Sequence, residues 1–101
     1  MAFELFDLTG KRALVTGSSQ GIGFALAQGL AEHGAEIVLN GRDAGKLDAA
    51  ATRLTTSGHK VSVAGFDVTL AQAAKESVEA IERNCGAIDI LVNNAGMLGP
   101  L

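Results

Sequence analysis

Short apolar runs and segments of helical spacing take turns along this chain. Arg12-Ala13-Leu14-Val15-Thr16, bounded by Gly10 and Gly17, has the near-continuous apolar pattern of a strand buried on both faces. From Ile22 to His33 the apolar positions Ile22, Leu26, Gly29 and Leu30 recur at helical spacing, and Gly34 stands where a helix ends. Glu36-Ile37-Val38-Leu39-Asn40 predicts a second strand, closed by Gly41. Ala44 to Thr56 predicts a helix with Leu47, Ala50, Ala51 and Leu54 on one face, and Asp43 is placed to cap it. After a turn at Gly58-His59, Val61 to Phe66 predicts a third strand. Thr69-Leu70-Ala71-Gln72 fits a capping box opening a helix whose Ala74, Val78 and Ile81 share a face. Ala87 to Asn93 predicts a fourth strand.

The order β-α-β-α-β-α-β requires crossover connections, which join parallel strands in a right-handed sense. The expected fold is α/β, a parallel sheet with strand order 3-2-1-4, one half of a doubly wound architecture. The fourth strand carries neither lysine nor proline between Ile88 and Val92. Its outer edge is therefore expected to make the isolated chain associate.

Composition narrows the function classes. A length of 101 residues suits one domain, and 48% hydrophobic with 19% charged residues suits a folded core. The net charge is −3 and the basic residues are scattered, only Lys11 and Arg12 being adjacent, so no phosphate-backbone binder is expected. One cysteine permits no internal disulfide. The acidic start, Met1 to Asp7, does not resemble a signal peptide, and no apolar stretch is long enough to span a bilayer. A soluble, cytoplasmic protein is expected. His33, His59 and Cys85 show no metal-ligand spacing, and Cys85 is expected to pack rather than react. The chain contains no tyrosine, which excludes a phenolic acid or base from these residues.

The candidate chemistry lies at the strand ends. Thr16-Gly17-Ser18-Ser19-Gln20-Gly21-Ile22-Gly23 joins the first strand to the first helix. Glycines there allow a tight turn and close approach of a ligand, and the helix N-terminus offers amides and partial positive charge to a pyrophosphate. Ser18, Ser19 and Gln20 are expected to add polar side chains at that edge. At the tip of the second strand, Gly41 leaves room and Arg42 offers a fork for a phosphate, where an acid would select the ribose 2′-hydroxyl. This favours NADP, with NAD the alternative; Arg42 as a solvated loop residue also stands. At the third tip, Asp67 either reaches the adenine amine or caps the next turn. At the fourth, Asn93-Asn94-Ala95-Gly96 offers small residues for ring packing and amides to tie strands. All four lie at the carboxyl edge of the sheet, where open α/β sheets bind ligands.

Thr16 to Gly23, Asp67-Val68 and Asp89-Ile90-Leu91-Val92-Asn93-Asn94-Ala95-Gly96 together resemble the short-chain dehydrogenase/reductase family over nearly the whole chain. Leu5 to Gly10, Ile37 to Asp43 and Ile88 to Val92 are similar to a sugar-acid dehydrogenase subgroup of it. The resemblance implies a Rossmann-type NAD(P)-binding domain. Gly17, Ser18, Ser19, Gln20, Gly21 and Ile22 would wrap the pyrophosphate, and Arg42 would meet the 2′-phosphate in the room that Gly41 leaves. Asp67 and Val68 would hold the adenine; Asn94, Ala95 and Gly96 would lie along the cofactor. Gln20 stands where NADP users of the family often carry arginine. The family places its catalytic Asn, Ser and Tyr-x-x-x-Lys beyond the fourth strand. Residues 1–101 are thus expected to be a cofactor-binding domain without the catalytic half, inactive alone. The parent enzyme would take a small-molecule substrate and form a homo-oligomer. The rivals are an acyl-carrier-protein reductase, a non-catalytic nucleotide module and, disfavoured by Gly41, a methyltransferase-type domain.

Overall fold

Four strands and three helices alternate in this computed structural model, which describes residues 7–94. They are β1 (Arg12–Val15), α1 (Gly21–Glu32), β2 (Glu36–Asn40), α2 (Ala44–Thr56), β3 (Val61–Ala64), α3 (Ala71–Cys85) and β4 (Ile90–Val92). Every strand pairing is parallel and the order is β3-β2-β1-β4, as the alternation predicts.

Pleating divides the strand residues between two layers. Ala13, Val15, Ile37 and Leu39 meet Phe24, Ala27 and Ala31 of α1 and Leu47, Ala50 and Leu54 of α2 on one face. Leu14 and Val38 point the other way, onto Phe66 and Ile81, with Ala74 and Val78 of α3 alongside. That second layer is thinner. Ile81 is the one buried residue of α3, and Leu91, in register with Leu14 on that face, is 63% exposed.

Four expectations are corrected. The buried stripe of α1 is Gly23, Phe24, Ala27 and Ala31, whereas Ile22 and Leu26 face outward. The helix is apolar nearly all round, so spacing alone offers two faces. The face with Gly23, Ala27 and Ala31 wins because small residues let the helix sit close on the sheet. Leu26, Gly29 and Leu30 instead line a groove of about 420 Å³ with Leu8 and Val92. The Thr69–Gln72 capping box does not form: the N-cap of α3 is Leu70, without a side-chain cap. The Thr69 hydroxyl donates to Asp67 Oδ1 (2.6 Å) and the Gln72 amide donates to Glu76 (3.0 Å). By contrast Asp43 caps α2 as expected, accepting from the Lys46 amide at 3.0 Å. Finally, β3 stops at Ala64, where its neighbour β2 ends at Asn40, and β4 covers only Ile90–Val92, its last residue paired with Val15 at the end of β1.

Candidate functional site at the strand tips

The loop between β1 and α1 is anchored from both sides. The Gly17 amide donates to Asn40 Oδ1 at 3.0 Å, and the Gly17 carbonyl accepts from Asn94 Nδ2 at 3.1 Å. Asn40 and Asn94 end or follow the two strands flanking β1, so the turn is fixed to both neighbours. Gly23 makes this possible. A side chain there would overlap the Gly17 carbonyl and lie 2.7 Å from Asn94 Nδ2.

Ser18 departs from the expected polar edge. Its side chain is fully buried, its hydroxyl donates to the Val15 carbonyl at 2.7 Å, and it accepts from the Asn40 amide at 2.9 Å. The motif fixes which residue stands there, but the turn geometry decides which way it points. Ser19 is half-buried, and Gln20 and Gly21 are exposed, so the loop's outer rim begins at Ser19.

From that rim α1 starts without a side-chain cap and without an acid in its first turn. The opening amides of a helix have no partner within it. Together they present about half a positive charge to whatever lies in front. Gly21 has φ +62°, a left-handed turn that leaves open space where a side chain would project. Beside it, a side chain at Gly41 would come within 3.2 Å of Ser19 Oγ, so the tip of β2 is kept clear at that point.

Arg42 extends from the same tip, 77% exposed, with Nη1 3.4 Å from Asp67 Oδ2. Asp67 Oδ1 accepts from the amide and hydroxyl of Thr69 at 2.9 and 2.6 Å. These bonds, and secondarily Arg42, hold the carboxyl below its ordinary pKa. Of the two roles open for Asp67, the turn-closing one is present here, and its second oxygen faces Arg42 Nη1. Val68 lies partly buried against the second layer. Asn94 is buried, and its Oδ1 has no hydrogen-bond partner among the described residues. Ala95 and Gly96 lie outside the described residues. Cys85, expected to pack, is exposed at the last residue of α3.

The residue missed by sequence is Asn40. It is 2% exposed, and its Nδ2 donates to the carbonyls of Ala64 and Phe66, each at 3.0 Å. The available signal was a polar residue closing an otherwise apolar buried strand, which has to find hydrogen bonds.

These features fit an anionic, extended ligand. The helix start is uncapped, the tip at Gly41 is clear, and Arg42 is an exposed cation beside both. A parallel sheet with this assembly at its carboxyl edge is a dinucleotide-binding α/β fold. Residues 11–101 match the family model for the short chain dehydrogenase, and the chain belongs to that family. It is 57% identical over 94 residues to the gluconate 5-dehydrogenase of Gluconobacter oxydans, covering 93% of this chain and 37% of that protein. The 5-keto-D-gluconate 5-reductase of Escherichia coli is 46% identical over 94 residues, with the same coverages. A solved gluconate 5-dehydrogenase from Burkholderia cenocepacia, in complex with NADP and tartrate, matches at TM-score 0.88 and 47% identity. That match covers 95% of this chain and 38% of that one. The similarity thus falls in the sugar-acid subgroup that the sequence suggested. The chain spans little more than a third of the length of these relatives. Among the described residues no helix is long and apolar enough to cross a membrane.

Proposed function

We propose that this chain is the NADP-cradling part of a short-chain oxidoreductase acting on a sugar-acid hydroxyl. The substrate pair we infer from its relatives is D-gluconate and 5-keto-D-gluconate. The observation that carries the proposal is the uncapped N-terminus of α1, set beside Arg42 on a loop clamped by Asn40 and Asn94.

In this proposal the amides from Ser19 to Ile22 bind the pyrophosphate, with Gly17 and Ser18 holding the loop from beneath. Gly41 leaves space for the adenosine ribose. Arg42 turns from Asp67 to the 2′-phosphate, an exchange of one charge-assisted contact for another. Asp67 and Val68 border the adenine, and Asn94, Ala95 and Gly96 follow the cofactor towards its reactive ring. When bound, the cofactor supplies hydride transfer. The alcohol proton requires a separate acid-base group. The sequence holds no tyrosine, so a phenolic group of the kind the family uses is not among these residues. The 101-residue chain is therefore expected to bind cofactor without turning over substrate. The whole enzyme is proposed to be a cytoplasmic homo-oligomer.

Calorimetric titration of the chain with NADP and with NAD tests this. A charge-assisted hydrogen bond of about 1.5–3 kcal/mol from Arg42, less the roughly 0–1 kcal/mol of the exposed Asp67 contact it replaces, makes NADP tighter by about twofold or more. Equal affinity for both, or no binding of either, would contradict the proposal.

A further inference from the structure

Asn40 has no place in the proposed cofactor contacts, yet both its backbone and its side chain are hydrogen-bonded at the strand tips. Its backbone amide donates to Ser18 Oγ (2.9 Å) and its carbonyl accepts from the Ser18 amide (2.8 Å). Its side-chain oxygen accepts from the Gly17 amide (3.0 Å), and its side-chain nitrogen donates to the Ala64 and Phe66 carbonyls (both 3.0 Å). One residue, 2% exposed, thus joins the glycine loop to the tip of β3. The β2–β3 ladder ends at the pair Asn40 and Ala64, and the Asn40 side chain carries the connection past it to Phe66.

The chemistry of the bridge is specific to a carboxamide. The loop side requires an acceptor, since Gly17 offers an N–H. The β3 side requires a donor with two protons, since Ala64 and Phe66 both offer carbonyls. Asparagine supplies both from adjacent atoms. A carboxylate keeps the first function and loses the second, placing a negative oxygen against two carbonyls. A hydroxyl is too short to serve both sides.

We propose that Asn40 is a positioning residue that fixes the spacing between the phosphate loop and the Arg42–Asp67 tip, so that one NADP engages both at once. The inference rests on the function proposed above. Asp67 follows Phe66 directly, so holding the Phe66 carbonyl also holds the start of the turn from which Asp67 meets Arg42. A ligand that touches only one end gains nothing from that spacing. A ligand that spans both gains from contacts already held in register, the advantage of preorganisation. Asn40 therefore acts on the coupling between the two ends, without touching the ligand.

The test compares NADP, which spans both ends, with adenosine 2′-monophosphate, which reaches only the tip. Both are titrated calorimetrically into the wild-type chain, Asn40→Asp and Asn40→Thr. The expected result for each folded variant is NADP binding weakened about tenfold, with adenosine 2′-monophosphate within about twofold of wild type. Equal weakening of the two ligands, or of neither, would overturn the inference and leave the cofactor assignment standing. Failure of the wild-type chain to bind NADP would overturn the assignment and the inference with it. Amide hydrogen exchange on the wild type is a second test that needs no variant. Saturating adenosine 2′-monophosphate is expected to slow exchange at Gly17 and Ser18, across the Asn40 bridge. Exchange there unchanged while the tip is occupied would overturn the inference.

Discussion

Replacing Gly23 by alanine should do more damage than any other single added methyl group in α1. The new Cβ would overlap the Gly17 carbonyl oxygen, lie 2.9 Å from the Gly17 carbonyl carbon and 2.7 Å from Asn94 Nδ2. The first two atoms are backbone, so no rotamer change relieves the contact. Helix and loop must separate, at an overpacking cost of roughly 1–3 kcal/mol. Separation also breaks the bond from Asn94 to Gly17. The Asn94 Oδ1 already lacks a partner among the described residues, so the buried amide would also lose its bond to the Gly17 carbonyl. Such a loss costs about 1–3 kcal/mol. Alanine's helical preference returns about 1 kcal/mol, leaving a net destabilisation of roughly 1–5 kcal/mol. For a domain near this size each kcal/mol moves Tm by about 4–8 °C, so a fall of roughly 4–40 °C is expected. Gly29→Ala is the matched control: same helix, with nothing beyond the helix's own nearby backbone and its chain neighbours within 4 Å of the added carbon. It should melt at or slightly above wild type by roughly 0.5–1 kcal/mol. Thermal unfolding by far-ultraviolet circular dichroism reads both, with urea midpoints at constant slope as a check. If the two alanine variants melt together, the close packing of loop, helix and Asn94 is wrong.

Four further outcomes are expected. Arg42→Ala should weaken NADP by about tenfold while leaving NAD unchanged, measured by calorimetry; a parallel loss of both would remove Arg42 from the 2′-phosphate. Asp43→Ala should remove the cap of α2 and cost about 1 kcal/mol in urea unfolding without changing NADP affinity. The Asp67 carboxyl is held below its ordinary pKa by Thr69, so its contribution is full above about pH 4 and is lost as pH falls through the depressed folded value. Thr69→Val should therefore flatten the acid limb of the stability–pH curve, and an unchanged limb would contradict that assignment. The outer edge of β4, with Leu91 63% exposed, should make the chain self-associate at high concentration; a monodisperse monomer by light scattering would count against this.

The topology was legible because it rests on coarse features. Four apolar runs separated by helix-spaced segments leave few arrangements once crossovers are right-handed. A parallel sheet then places all four strand tips at one edge, so the glycine loop, Arg42, Asp67 and Asn94 fall together from connectivity alone. Local punctuation worked where it was unambiguous: Gly41 and Asp43 bound β2 and α2 as observed. It failed where one residue had two uses. Thr69 could cap α3 or close the Asp67 turn, and the turn won at 2.6 Å. In α1, apolar residues on two sides left the buried face to be decided by which side could approach the sheet. Ser18 and Asn40 show the same limit within the site. Motif spacing identified the loop, but the inward direction of Ser18 and the bridging of Asn40 depend on where three strands end relative to one another.

Whether the strand-tip edge cradles NADP is read most directly by an NMR titration of the isotopically labelled chain with NADP, following each backbone amide. The largest shifts are expected at Gly17 to Gly23, at Gly41 and Arg42, and at Asp67 and Val68, with Leu26 and Leu30 in the outer groove of α1 unmoved. Shifts centred on that groove, or an unchanged spectrum at saturating NADP, would contradict the cofactor assignment.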